Sequence, residues 1–317
     1  MTKIAITGAS GFVGKELVST LRNAGMFCRS IFRGAQSLPY SDQYVVPEIN
    51  GDTKWLDAFV DVKCVVHLAA RVHVMHDQSL DPLGEFRRVN VEGTLNLARQ
   101  AAAQGVRRFI FISSIKVNGE FTQLGSPFTA EDVPQPMDPY GISKMEAELG
   151  LREIAAQTGM EVVIIRSPLV YGPGVKANFR NMMSWLHKGV PLPFGAIHNK
   201  RSLVALDNLV DLIITCIDHP NAANQTFLVS DDADLSTSEL LRKTAQYFDK
   251  SSMLVPVPQV LLETGLRLIG KKDIAQRLCG SLQVDIAKTK SLLDWRPPVS
   301  VDVGLRKTVD AYLAELG

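Results

Sequence analysis

A chain of 317 residues with 46% hydrophobic and 21% charged content can bury a large core, which excludes disordered and fibrous classes and fits one large α/β unit or two closely joined domains. The net charge of +1 provides no basic footprint for nucleic acid, so small molecules are the expected partners. Cys28, Cys64, Cys216 and Cys279 are scattered with no Cys-x-x-Cys pair, which reads as core thiols in a reducing compartment and not as metal ligands. The start of the chain lacks the basic region and long apolar core of a signal peptide, and runs such as residues 209–217 are too short to span a bilayer. A cytoplasmic protein without stable membrane insertion is expected.

Residues 3–7 form a short β-branched run, followed at once by Gly8-Ala9-Ser10-Gly11-Phe12-Val13-Gly14 and an amphipathic segment with Leu17, Val18 and Leu21. Strand, glycine turn, helix is the order needed for dinucleotide binding. Gly8 permits the tight turn, Gly11 lets the backbone approach a pyrophosphate, and Gly14 lets the helix pack close to the strand. Residues 26–32 predict a second strand ending in Arg33-Gly34 with no acidic residue for ribose hydroxyls. Arg33 is therefore either a partner for the 2′-phosphate of NADP or a solvated strand-end cation.

Gly51-Asp52 opens the next turn, and Asp57 and Phe59 are assigned to a short helix. Residues 64–70 read as a buried parallel strand in which His67 is a packed core histidine. His73 and His76, with Asp77 beside them, have helical spacing, but no further ligands cluster there, so no metal site is assigned. A long helix is expected from Asn90 to Gly105, then a strand over 107–114 ending in Ser113-Ser114. Ligands of open parallel sheets bind beyond the carboxyl ends of strands, so a hydroxyl there faces the cleft opened by the glycine turn, although a lone terminal serine is also a common turn former.

Asp138-Pro139-Tyr140-Gly141-Ile142-Ser143-Lys144 predicts a helix start with Asp138 as N-cap and Pro139 in the first helical position. Tyr140 and Lys144 share one helical face. A phenol ionises near ~10 alone, and the Lys144 cation and the helix dipole both favour phenolate, so the pair is either an acid–base device or a surface helix with snorkelling side chains.

After a strand over 161–166 the composition shifts to loops punctuated by Pro168, Gly172-Pro173-Gly174, Gly189, Pro191, Pro193 and Gly195 around a helix over 179–188. Residues 201–205 are strand-like, Asp207 is taken to cap a helix to Ile217, and residues 226–230 return as a strand. Ser236-Thr237-Ser238-Glu239 has the form of a capping box, and residues 258–268, 285–294 and 301–316 read as helices. The expected fold is a doubly wound parallel sheet (Rossmann) over 1–168, with a smaller mixed substrate-binding domain over 169–317 from which 201–230 returns to the first.

With these pieces assembled, the chain resembles the extended short-chain dehydrogenase/reductase family, and within it the nucleotide-sugar 4-epimerases and UDP-4-keto-sugar reductases. The resemblance rests on the 7–14 turn, Gly51-Asp52, His67-Leu68-Ala69-Ala70, Asn90-Val91-Glu92-Gly93-Thr94, Ser113-Ser114, Tyr140 with Lys144, Val170-Tyr171-Gly172-Pro173-Gly174, Arg201 and Asp294-Trp295-Arg296-Pro297. It implies a homodimer acting on a nucleotide-sugar substrate. It also implies catalysis by Ser114, Tyr140 and Lys144, with Asp52 at the adenine. Ala69, Ala70 and Asn90 would line the cofactor, together with Ser10, Phe12 and Val13 of the turn and Lys144. Asn178, Phe179, Pro193 and Arg201 match positions that hold the nucleotide diphosphate in relatives.

The departures are specific. Dehydratases of the group carry Asp-Glu after the equivalent of Ser114, whereas Ile115-Lys116 stands here, which speaks against dehydration. Val117-Asn118-Gly119 replaces the Val-Tyr-Gly common in epimerases, and 113–119 looks like a bacterial subgroup that reduces UDP-4-keto-6-deoxy-N-acetylhexosamine. With Arg33, this places NADP(H) ahead of NAD(H), and 4-keto reduction of an N-acetylhexosamine ahead of 4-epimerisation. A non-enzymatic dinucleotide sensor is the reading from a different class. A further alternative is a lipid-diphosphate-linked sugar, with residues 258–270 at the membrane.

Overall fold

The computed structural model describes residues 3–34, 42–55, 57–72, 81–248 and 253–317. In chain order the elements are β1 (Lys3–Thr7), α1 (Phe12–Asn23), β2 (Cys28–Arg33), β3 (Gln43–Val46), β4 (Val62–His67), α2 (Pro82–Phe86), α3 (Thr94–Ala103) and β5 (Arg108–Ser114). Then follow α4 (Pro139–Thr158), β6 (Glu161–Ser167), β7 (Leu169–Tyr171), α5 (Ala177–His187), β8 (Leu203–Ala205), α6 (Leu206–Asp218) and β9 (Thr226–Leu228). The chain closes with α7 (Thr237–Gln246), α8 (Gln259–Leu268), α9 (Lys272–Cys279), α10 (Ala287–Leu293) and α11 (Val301–Ala314).

Seven strands form one parallel sheet in the order β3-β2-β1-β4-β5-β6-β9. The order reverses between β1 and β4, which is the switch point where a doubly wound sheet opens its crevice. The central strands are apolar on both faces because helices cover both. Leu17, Val18 and Leu21 of α1 and Leu209, Leu212 and Ile213 of α6 pack on Ile4, Ile6, Val66, Ile110 and Val163. On the opposite face, Leu97, Ala98 and Ala101 of α3 and Ala147, Leu151 and Ile154 of α4 pack on Ala5, Val65, Phe109, Phe111 and Ile164. A third core joins Tyr171, Phe179, Met183, Leu241, Phe248, Leu305 and Tyr312. No described helix is long and apolar enough to cross a membrane.

Several expectations are corrected. The helix expected from Asn90 begins at Pro82, because Asp81 accepts from Gly84 N at 2.9 Å, and it passes through a π-helical turn, Arg87–Gly93, before α3. Residues 57–61 run as turns, since Trp55 O and Phe59 O are taken by Ala58 N and Val62 N, a span too short for a helix. Asp207 does not cap α6: it lies in the first turn, where its charge suits the dipole, and binds Lys307. The Ser236 capping box is present, with Ser236 Oγ accepting from Glu239 N and Glu239 accepting from Ser236 N. Strand β8 pairs with β7 in a separate two-stranded sheet, while β9 joins the edge of the main sheet beside β6.

Candidate active site

The first wall of the crevice is the turn after β1. Gly8 adopts φ +69, and a Cβ there would stand 2.8 Å from Ala69 N, so the ends of β1 and β4 meet in a contact that leaves room for backbone alone. Gly14 is buried, and a side chain on it would overlap the Gly8 carbonyl and come within 2.7 Å of Ala9 Cα. Helix α1 thus starts close on the strand, with Gly11 exposed at its N-cap and Ser10, Phe12 and Val13 half-buried. Beneath this turn His67 is 1% exposed, with Nδ1 2.6 Å from Thr7 Oγ1 and Nε2 3.0 Å from Thr94 Oγ1. Burial and the nearby Lys144 push it down to about 3, so it is a neutral core histidine.

The second wall is the first turn of α4. Asp138 caps it by accepting from Gly141 N at 2.6 Å, and Pro139 opens the helix. Tyr140 packs edge-on against Phe86 at 6.0 Å, and Lys144 Nζ lies 3.8 Å from the centroid of the Phe111 ring. The expected low phenol pKa is not found. Burial, then the Asp138 charge, pushes Tyr140 up to about 12, while burial pushes Lys144 down to about 7. The cause is a dry wall: the phenolate and the ammonium both lose water, while the Glu148 charge and the Phe111 ring favour the ammonium without offsetting that loss.

Asn90 joins the two walls. Its amide accepts from Arg71 N at 2.8 Å and donates to Ser143 Oγ at 3.0 Å, and Ser143 Oγ donates to the Tyr140 carbonyl at 2.8 Å. The π-helical turn sets Asn90 at this junction, a common use of such turns. Ala69 and Ala70 are half-buried alongside. The floor is the end of β5. Ser114 is half-buried and accepts from Lys116 N at 3.2 Å, and the turn Ile115–Val117 packs on α4.

A group that sequence reasoning missed lies behind this floor. Ser113 Oγ donates to Glu148 Oε1 at 2.5 Å, Glu148 pairs with Arg166 at 2.7 Å, and Arg166 donates to Asn118 Oδ1 at 3.0 Å. Both partners of the ion pair are 3% exposed. Glu148 follows Lys144 by four residues on one helical face, a spacing that could have flagged it, but nothing in the chain near Arg166 announces its partner.

The remaining predicted residues lie farther out. Arg33 is exposed at the end of β2, and Asp52 is exposed in a turn where its N–H donates to Asn50 Oδ1. Asn178 is exposed, whereas Phe179 is buried and stacked on Tyr171 at 5.7 Å. Pro193 is half-buried in the loop that pairs Leu192 with Leu254. Arg201 Nη1 donates to Gly280 O at 3.0 Å, and burial lowers its pKa from the ordinary value. His73, His76 and Asp77 lie outside the described residues, and among those described no His, Cys, Asp and Glu cluster suits a metal.

Residues 4–230 match the NAD dependent epimerase/dehydratase family. This chain belongs to that family. It is 51% identical over 312 residues to a UDP-glucose 4-epimerase of Vibrio cholerae, covering 98% of this chain and 95% of that one. It is 27% identical over 321 residues to the N-acetyl-alpha-D-glucosaminyl-diphospho-ditrans,octacis-undecaprenol 4-epimerase of Escherichia coli O157:H7, covering 96% and 94%. The fold superposes on the crystal structure of the UDP-glucose 4-epimerase of Thermotoga maritima with UDP-glucose at a TM-score of 0.78 and 22% identity, covering 100% of both chains. As a family member the chain is an enzyme that works with an NAD-type dinucleotide.

Proposed function

We propose that this enzyme interconverts the C4 configuration of a UDP-hexose, using Ser114, Tyr140 and Lys144. The observation that carries the proposal is the pairing of a face made by half-buried Tyr140 and buried Lys144 with the Gly8 turn across Asn90 at the sheet's switch point. The close Gly8–Ala69 approach and the Gly11 N-cap fit a dinucleotide, because bare backbone and free helix N–H groups can meet its diphosphate. Ser10, Phe12, Val13, Ala69, Ala70 and Asn90 would line it, and Asp52 would reach the adenine end. The dinucleotide, when bound, supplies the hydride acceptor and donor.

The protein's own residues handle the proton. Tyr140 Oη takes the C4 hydroxyl proton as base and returns it as acid, and Ser114 Oγ holds the same oxygen. Lys144 lowers the cost of the phenolate by its charge. Such a role requires the ammonium form, which burial weakens and Glu148 favours. Asn178, Phe179, Pro193 and Arg201 are assigned to the UDP moiety, with Arg201 as phosphate partner.

Epimerisation is placed ahead of reduction because the 51% identical relative is named a 4-epimerase. The second reading, NADPH-dependent reduction of a UDP-4-keto-N-acetylhexosamine, rests on Arg33 standing exposed where an acid would hold ribose hydroxyls. Proton NMR of the enzyme with UDP-glucose and NAD, without reductant, is expected to show UDP-galactose. No equilibration, together with NADPH consumption on a UDP-4-keto-6-deoxy-N-acetylhexosamine, would reverse the order. The two-part division at residue 168, a cytoplasmic location supported by four free cysteines, and a homodimer through the long helices that follow Val91 and Tyr140, supported by exposed Leu149, belong to the same proposal. A monomeric mass in light scattering rejects the dimer.

A further inference from the structure

Lys116 stands two residues after Ser114 and touches both elements that carry the reacting hydroxyls. Its N–H donates to Ser114 Oγ at 3.2 Å. Its carbonyl oxygen lies 2.8 Å from where a Cβ on Gly141 would stand, so the turn after β5 rests on the first turn of α4. Its ammonium pairs with Asp138 Oδ2, while Asp138 Oδ1 holds Gly141 N. Val117 O accepts from Gln135 N at 2.9 Å and ties the turn to the approach of α4.

Charged groups lie on α4, on its cap and on the elements packed against it. The cap of α4 supplies Asp138, the turn after β5 supplies Lys116 with Glu120 3.4 Å from its Nζ, and α4 itself supplies Lys144. The helix over 82–93 supplies Glu85, 3.9 Å from Arg71, and Arg87, which is paired with Glu146. Asp138 is the anion that opposes ionisation of Tyr140. A carboxylate so placed works against any phenolate unless a cation sits on its free oxygen.

We propose that Lys116 is a positioning residue that clamps the Ser114 turn onto the Tyr140 helix and offsets the field of the N-cap carboxylate at the phenol. This rests on the C4 reading above. The pair is partly exposed, 32% for Lys116 and 20% for Asp138, so a merely structural pair would change stability little and leave Tyr140 where it is.

The test reads Tyr140 directly. Protein labelled with ζ-carbon-13 tyrosine and saturated with NAD is titrated by NMR, with Tyr140→Phe assigning the resonance. Lys116→Met is expected to raise the Tyr140 midpoint by about half a pH unit or more, and Asp138→Asn, which keeps a good N-cap, to lower it. The double variant returns near the parent value, and Lys116→Arg stays with the parent. A Lys116→Met midpoint equal to the parent's overturns the proposal, as does a double variant that fails to compensate. Turnover with UDP-glucose across pH separates the two readings. In the parent, its absence at every pH counts against C4 chemistry and leaves the titration to decide the clamp.

Discussion

The region built on the long parallel strands and the region built around β7, β8 and α5 are held together in different ways. In the first, long backbone ladders join the strands, as in the seven-residue register of β5 with β6 from Arg108–Glu161 to Ser114–Ser167. In the second, β7 and β8 share a ladder of only three residues, and beyond it single bridges such as Arg201 with Leu235 and with Leu282 do the joining, and side chains complete it. Asn199 alone accepts from Thr237 N and donates toward Leu278 O and Gly280 O. Ladders fix strand ends rigidly, which suits a proton and hydride transfer that tolerates little misplacement. Bridges and side-chain pins can be exchanged one at a time, which suits a region that selects a substrate.

Tyr140→Phe is the strongest test of the rigid half. It is expected to cut turnover by about 100- to 10,000-fold with unchanged NAD affinity and melting temperature, because only the proposed proton carrier is lost. A tenfold loss or less would detach the chemistry from α4. Glu148→Gln strikes the same half from behind: it leaves Arg166 buried opposite a neutral amide, and removing one partner of such a pair costs about 3–5 kcal/mol. Calorimetry showing under 1 kcal/mol would mean that the Ser113–Glu148–Arg166 chain does not hold the β5 floor. Gly14→Ala is smaller, about 1–3 kcal/mol, because its methyl meets the Gly8 and Ala9 backbone, which cannot swing aside. It should weaken NAD binding in parallel with the melting temperature.

The same contrast explains what could be read from the residues. Apolar runs such as Val62–His67 and Glu161–Ser167 announced themselves as strands because both their faces are buried, and Asp138 and Ser236 announced helix starts through short-range capping. Strand β3 carries a weak signal because it is an edge strand with half its residues exposed, and three-residue β7 leaves no period to detect. The apolar rhythm after Asn90 outweighs the helix start at Pro82, although Asp81-Pro82 repeats the signal of Asp138-Pro139. In the site, Tyr140, Lys144 and the glycine turn were visible from spacing, whereas Glu148 with Arg166 joins residues that only the fold brings together. Burial reverses the phenol's direction, because spacing reports the neighbouring Lys144 but not the loss of water at Tyr140, which packs on Phe86.

Asn199→Ala gives the smallest effect and the sharpest test of the contrast. Asn199 is 4% exposed, and its side chain ties the strip that carries Arg201 to the start of α7 and to the end of α9. Removing it leaves these half-buried backbone groups to whatever water reaches them, so the stability cost is about 1 kcal/mol, the low end for groups left without their partner. The pins lie far along the chain from α4, and no ladder transmits their loss to Tyr140. If Arg201 holds the nucleotide diphosphate, KM for the UDP-sugar should rise about tenfold, equal to about 1.4 kcal/mol, with kcat within about twofold. Steady-state kinetics in which kcat falls with KM unchanged would erase the division, because the loop region would then be setting the geometry of the chemical step.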